Sequence, residues 1–237
     1  MAAGRPNGLV LIGLSAVAGS TDALSYLGLN QVFPANMTGN TVLLGVGLST
    51  GDYQRAGRSA VALGAFVVGA ALAGLLTADY TWRRLLTVGT VCELALLAAA
   101  CGWWLSAGAD LTSGSQHGLI ALVATAMGVQ SATVSRLDVG VSTTFITGTW
   151  TEVSLWASAL VRGDKSAAHP DARGRHARQA SVLLTYLCAA VLGGYVSDVA
   201  GPPAIGIPLG LLAVVAAVRS GARLREAARW PGPARTT

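Results

Sequence analysis

The chain has 237 residues, of which 52% are hydrophobic and only 11% charged, with a formal net charge of +5 and a mean hydropathy of +0.55. Soluble domains carry about 25% charged residues, so this composition excludes an ordinary water-soluble protein. The basic excess sits in loops and the C-terminal stretch, with no Lys/Arg stripe interleaved with aromatics, which excludes nucleic acid as the partner.

The first apolar block is 8–28. Arg5 and Ala16-Val17-Ala18 imitate a short secretory signal, but the apolar pattern continues past that point, so the block reads as an uncleaved first span. Residues 23–51 are uncharged, yet their centre, Phe33-Pro34-Ala35-Asn36-Met37-Thr38-Gly39-Asn40-Thr41, is too polar for an ordinary span. A loop with Asp52, Arg55 and Arg58 leads to spans at 59–78 and 85–106, the latter carrying Glu93 as its one charge. A polar loop at 107–117 divides the chain.

The second half repeats the order: a span at 118–136, a polar-centred segment Thr143-Thr144-Phe145-Ile146-Thr147-Gly148-Thr149, a charged loop at 162–178, and spans at 179–198 and 203–219. A shift of 109 residues places Gly19 on Gly128, Ala23 on Ala132 and Thr38-Gly39 on Thr147-Gly148 without a gap. The order of elements, more than the identities, predicts a two-fold internal repeat with halves 8–106 and 117–219 in one integral membrane domain covering 1–237, followed by a basic cytoplasmic tail at 220–237.

Each run approaches the roughly 20 residues a helix needs to cross a bilayer, and none alternates as a barrel strand would. The predicted fold is therefore an all-α polytopic membrane protein, with about six transmembrane helices plus two broken or re-entrant Thr-Gly segments. Eight spans result instead if both Thr-Gly segments cross. With six, every Lys and Arg but Arg55 and Arg58 lies inside; with eight, Arg83, Arg84 and Arg136 lie outside. Both arrangements put both termini in the cytoplasm. Six makes the halves inverted, a recurring transporter plan, whereas eight makes them parallel.

Asp22 is deep for a carboxylate, and an ionised group inside the membrane costs at least about 2.5–3.5 kcal/mol. It reads as a cation or proton site, or as a carboxylate near a helix end held by the hydroxyls of Ser20, Thr21 or Ser25. Asn36, Thr38, Asn40 and Thr41 flank Gly39 just after Pro34. Pro and Gly favour an interrupted helix whose freed backbone groups can bind a solute when shielded from lipid. The alternative is interhelical hydrogen bonding between small polar residues. Thr143, Thr144, Thr147, Gly148 and Thr149 make the equivalent case in the second half, and Glu152 follows about one turn later, as a site carboxylate or an interfacial one between Trp150 and Trp156.

Gln130 joins this candidate set from the preceding span. Arg136 and Asp138 form either an exposed pair of little consequence or a gate, and Glu93 is either paired or part of a proton path. Arg219, Arg223, Arg225 and Arg229 suit headgroup anchoring. The sequon Asn36-Met37-Thr38 lies between apolar runs and reads as unmodified. Cys92, Cys101 and Cys188 lie in apolar runs without metal or redox spacing. No metal site, no cofactor and no catalytic residue is expected: nucleophile elbow, HExxH and Walker loop are missing, and the three histidines are peripheral.

Gly19-Ser20-Thr21-Asp22-Ala23, followed by Phe33 and Asn36-Met37-Thr38-Gly39-Asn40-Thr41, resembles the signature of the YoaK-like bacterial membrane proteins, an uncharacterised family. Gly128-Val129-Gln130-Ser131-Ala132 and Thr143-Thr144-Phe145-Ile146-Thr147-Gly148 are similar to its second-half pattern, and the likeness covers residues 8–219. The resemblance implies a multi-pass protein of the bacterial cytoplasmic membrane and brings no substrate or catalytic residue with it.

The expected function is a small secondary transporter or channel for a small solute or ion, lined by the two Thr-Gly segments, with Asp22 as the coupling carboxylate. The alternative is a non-transporting membrane subunit that binds other proteins or lipids, for which Gly47-xxx-Gly51 and Gly206-xxx-Gly210 supply close-packing faces. The expected partners are the lipid bilayer, an unidentified solute or ion, and, in one arrangement, a second copy of the chain.

Overall fold

Inside hydrocarbon a chain must satisfy its own backbone, and an uninterrupted apolar run does so as a helix. The computed structural model describes residues 8–77, 80–108, 111–137 and 146–228, and every regular element among them is helical. In chain order these are α1 (Gly8–Gly28), α2 (Met37–Thr50), α3 (Tyr53–Leu76), α4 (Trp82–Ala107), α5 (Ser113–Ser135), α6 (Ile146–Val161), α7 (Pro170–Ala200), a 3-10 turn (Pro202–Ile205) and α8 (Gly206–Ala228). Helices α1, α3, α4, α5 and α7 have the length and apolar composition to cross a membrane, and α8 adds a shorter apolar stretch, Gly206–Gly221. The Thr-Gly segments open the two short helices. With 14 residues in α2 and 16 in α6, these reach about 21 and 24 Å, short of a hydrocarbon layer of about 30 Å.

Several helices begin before the apolar runs do, each at a polar cap. The Asp52 carboxylate accepts from the Arg55 amide at 3.0 Å and starts α3 at Tyr53, taking Arg55 and Arg58 into the helix. The Thr112 hydroxyl accepts from the Ser115 amide at 3.2 Å and starts α5. Pro170, in the first turn, and His169 as cap start α7, so the later part of the 162–178 segment is helix rather than loop. Likewise α8 runs on to Ala228, making the first residues of the basic tail helical.

Contacts between helices fix their directions. Gly8 lies against Arg178, Ser15 donates to the Val182 carbonyl, and Gly19 meets Tyr186, so α1 and α7 run parallel. Gly57 lies beside His117, Gly69 against Thr125, and Arg136 donates to the Gly74 carbonyl, so α3 and α5 also run parallel. Gly118 under Trp103 and Gly89 beside Thr133 make α4 antiparallel to α5. One end of the bundle therefore gathers the last turns of α1, α4 and α7 with the first turns of α5 and α8, around Gly28, Trp104, Leu111, Gly201 and Ile205.

These directions decide between six spans and eight. Because α1 ends where α3 begins, residues 29–52 return to the face they left. Because α5 ends where α7 begins, the α6 region returns to the opposite face. The two halves are inverted. Exchanging α1–α4 with α5–α8 also preserves the helix pairings: α1 on α7 becomes α5 on α3, α4 on α5 becomes α8 on α1, α2 on α3 becomes α6 on α7, and α4 on α8 and α1 on α5 map onto themselves.

The core sits on α1 and α5, whose most apolar windows are 72% and 61% buried, against 22% for α3 and 17% for α7. Their two crossings bring backbone against backbone. A Cβ on Gly19 would strike the Tyr186 carbonyl, and one on Gly128 would strike the Phe66 carbonyl and stand 2.9 Å from the Ala70 nitrogen. Small residues at such points let membrane helices gain van der Waals contact where lipid offers no hydrophobic incentive.

Gly128→Ala is expected to lower thermal stability in detergent by about 1–3 kcal/mol through this overpacking. Gly64→Ala, at a glycine with nothing within 4 Å, should leave the unfolding midpoint unchanged or raise it. Equal effects at both positions would contradict the close crossing.

Candidate functional site

The inner helix α1 is also a polar one: Ser15, Ser20, Thr21, Asp22 and Ser25 are all buried. Asp22 lies six residues before the end of α1, about 9 Å along the axis. Its Oδ1 accepts from the Ala35 amide at 2.7 Å and its Oδ2 from the Tyr186 hydroxyl at 2.5 Å. The hydroxyls weighed from sequence do not hold it. Ser20 donates to the Ala16 carbonyl at 2.8 Å, while Thr21 Oγ1 and Ser25 Oγ have no hydrogen-bond partner.

The segment between α1 and α2 folds back into the protein to reach Asp22. Asn30 and Gln31 take left-handed backbone angles, φ 58° and 65°, and the Gln31 amide donates to the Tyr26 carbonyl at 2.8 Å. The chain then buries Leu29, Val32, Pro34 and Ala35 beside α1 and stacks Phe33 on Tyr26 at 4.9 Å. Asn40 clamps this turn, accepting from the Phe33 amide at 3.0 Å and donating to the Phe33 carbonyl at 2.5 Å. Asn36 caps α2 by accepting from the Gly39 amide at 3.1 Å. Gly39 is small because Phe33 lies over it: a Cβ there would meet the ring at 2.9 Å.

Thus Asn36, Gly39 and Asn40 build the helix break, as the Pro/Gly pattern predicts. Asp22 and Asn40 point inward, whereas Thr38 and Thr41 lie on the outer face, with the Thr41 hydroxyl turned back to the Met37 carbonyl at 2.9 Å.

In the second half, Thr149 is buried while Thr147 and Gly148 are exposed at the start of α6. Thr143, Thr144 and Asp138 lie outside the described residues. Glu152 accepts a hydrogen bond from Gln179 Nε2 of α7. Gln130 donates to the Leu14 carbonyl at 2.7 Å, joining α5 to α1 at the centre, while its Oε1 has no partner. Arg136 bonds the Gly74 carbonyl at 3.0 Å and Thr77 Oγ1 at 2.9 Å, so it ties α5 to α3. Glu93 is buried in α4 with Oε1 unpartnered, one turn beyond Gly89, where α4 meets Thr133. Arg219 of α8 crosses to the same helix, donating to the Leu86 carbonyl at 2.9 Å and Thr90 Oγ1 at 2.7 Å.

The arrangement therefore divides into an anchored turn around Asp22 and an unsaturated interior. In that interior Thr21 Oγ1, Ser25 Oγ, Glu93 Oε1, Gln130 Oε1 and Thr133 Oγ1 are buried oxygens without partners, on α1, α4 and α5. Sequence reading missed Tyr186 and Gln179, which both sit in the apolar run 179–198. The only signal for either is its partner, 164 residues away for Tyr186 and 27 for Gln179. Hydrogen bonds to a charged group contribute about 1.5–3 kcal/mol. Tyr186→Phe should destabilise the protein by that amount in reversible denaturation from mixed micelles, and combined with Asp22→Asn the losses should be clearly less than additive. Additive losses would separate the two groups.

The family described as "Protein of unknown function (DUF1275)" matches residues 10–218, and the chain belongs to it. The UPF0700 transmembrane protein YoaK of Bacillus subtilis (strain 168) is 35% identical over 141 residues, 57% of this chain and 60% of that protein. The chain thus matches about 60% of the length of this curated relative. No solved structure matches.

Proposed function

We propose that this member of the DUF1275 family is a small secondary transporter or channel for a small solute or ion. The observation that carries the reading is the set of five unpartnered side-chain oxygens buried in α1, α4 and α5. A buried polar group without a partner costs about 1–3 kcal/mol, and hydrocarbon offers it no relief. A state in which water or a polar solute enters along α1 and between α4 and α5 would satisfy these oxygens. The inverted halves support the same reading, since alternating access proceeds by one repeat rocking against the other around a midplane site.

Asp22 is the coupling carboxylate in this scheme. Its two hydrogen bonds hold the re-entrant turn to α1 and α7. A proton or cation taking up that charge competes with both donors and releases the turn, which opens the face of α1 that carries Thr21 and Ser25. The bundle end with Arg83, Arg84, Arg136, Arg178 and Arg219 lies in the cytoplasm of a bacterial inner membrane, with both termini, by the positive-inside rule. The lining is hydroxyl, amide and carboxyl, which disfavours a multivalent anion.

One observation favours a second reading, a non-transporting subunit. Thr38, Thr41, Thr147 and Gly148 present small groups on the outer faces of α2 and α6, a surface suited to a neighbouring helix of another protein or of a second copy.

Thiol accessibility separates the two. In a variant lacking Cys92, Cys101 and Cys188, single cysteines at Thr21, Ser25 and Thr133 should react with a small membrane-impermeant reagent, and Asp22→Asn should change their rates severalfold. Protection of all three from both faces of the membrane, in a folded protein, would remove the transport reading in favour of the subunit.

A further inference from the structure

At the basic end of the bundle, between α6, the turn after it and the start of α7, lies an open groove of about 510 Å³. Glu152, Leu155, Trp156, Ser166, Arg175 and His176 line it. A second hollow of about 360 Å³ shares Ser166, Ala172 and Arg175, so the two form one strip along the head of α7. The volume falls within the roughly 300–1,000 Å³ of small-molecule sites.

The groove is built from side chains already held in place. Gln179 is 1% exposed and fixed at both ends of its amide. Its Nε2 must donate to the Glu152 carboxylate, which leaves Oε1 to accept from His176 Nδ1 at 2.7 Å. That choice assigns the His176 proton to Nδ1 and turns the rest of the ring to the groove. Trp156 stacks on the same ring at 5.2 Å and anchors its indole nitrogen on the Ala167 carbonyl at 3.0 Å. Across the turn, the Asp164 carboxyl accepts from the Ser166 amide and hydroxyl at 2.9 and 2.7 Å, and these bonds hold it below the usual carboxylate range.

Charge then selects the occupant. Glu152 repels a purely anionic guest, and Arg175 repels a purely cationic one. A zwitterion with its two charges a few bonds apart satisfies both. Depth selects its source: Leu155 is 65% exposed, Trp156 is of the type that settles at the membrane interface, and the basic residues of this end mark headgroup level. We infer that this groove binds the headgroup of a zwitterionic, ammonium-bearing phospholipid. The ammonium lies on Glu152 and Trp156, the phosphate on Arg175, and the acyl chains run past Leu155 toward the start of α6. The inference stands whether or not the bundle transports.

The test is native mass spectrometry of the full-length protein after exchange into equimolar phosphatidylethanolamine and phosphatidylglycerol. The wild type should retain the ethanolamine lipid about fivefold over the glycerol lipid, the scale of one interfacial charge pair. Glu152→Gln should abolish that preference without lowering retention of the glycerol lipid, and Arg175→Ala should lower both. Ala172→Trp, which fills the strip without touching either charge, should reduce ethanolamine-lipid retention in protein of unchanged thermal midpoint. Excess soluble phosphoethanolamine should leave the lipid bound. Equal retention of the two lipids by the wild type, an unaltered preference in Glu152→Gln, or displacement by soluble phosphoethanolamine would each overturn the assignment.

Discussion

The two hydrogen bonds on Asp22 organise one whole end of this protein. A carboxylate 9 Å inside a membrane helix demands donors, and the chain supplies one by bending residues 29–36 back beside α1 and another from the Tyr186 hydroxyl. That backward turn carries Phe33 to Asn40, whose amide seals it to α2. The left-handed Gly51 and the Asp52 cap then reverse the chain into α3. The position of α2, and the return of residues 29–52 to the face they came from, therefore follow from one buried carboxyl group and the backbone bent to meet it.

The inverted pairing of the halves shows where this device is special. The crossing of Gly19 against the Tyr186 carbonyl has its counterpart in Gly128 against the Phe66 carbonyl. The same shift of 109 residues that relates the two glycines puts Ser131 where Asp22 stands. So Phe66 replaces the tyrosine where serine replaces the aspartate. Carboxylate and phenol are lost together, and the two crossings share a shape while only one carries a phenol–carboxylate hydrogen bond.

How far the fold could be read from sequence depended on the range of the interaction involved. Apolar runs report burial in lipid directly, so the six apolar helices and the two polar-centred segments stood out. Helix starts shifted because Asp52, Thr112 and Pro170 act through caps, which place charged residues such as Arg55 inside helices. The Thr-Gly pattern marked real breaks but did not say which polar groups face inward. A helix turns 100° per residue, so Thr38 and Asn40 point different ways, and what decides between them is the 29–36 turn, whose Phe33 backbone Asn40 holds. Glu152 was visible as a lone carboxylate, but its lock to His176 through Gln179 depends on α6 lying against α7. The re-entrant geometry was one of two readings until helix directions were known, because positive charge alone fits both.

The pairing of α1 with α7 has a bearing on how the protein comes to be made. Helix α1 carries Ser15, Gly19 and Asp22, and the surface that covers them belongs to α7, with Tyr186 made 164 residues after Asp22. Until α7 is made, α1 must wait with that face uncovered, among lipids or beside the insertion machinery. Its re-entrant turn can close on Asp22 through Ala35, but the second donor to that carboxylate is missing until Tyr186 arrives. Assembly is therefore a closing of the circle rather than a succession of finished hairpins, and a chain halted before α7 presents an open seam to the quality-control systems of the membrane.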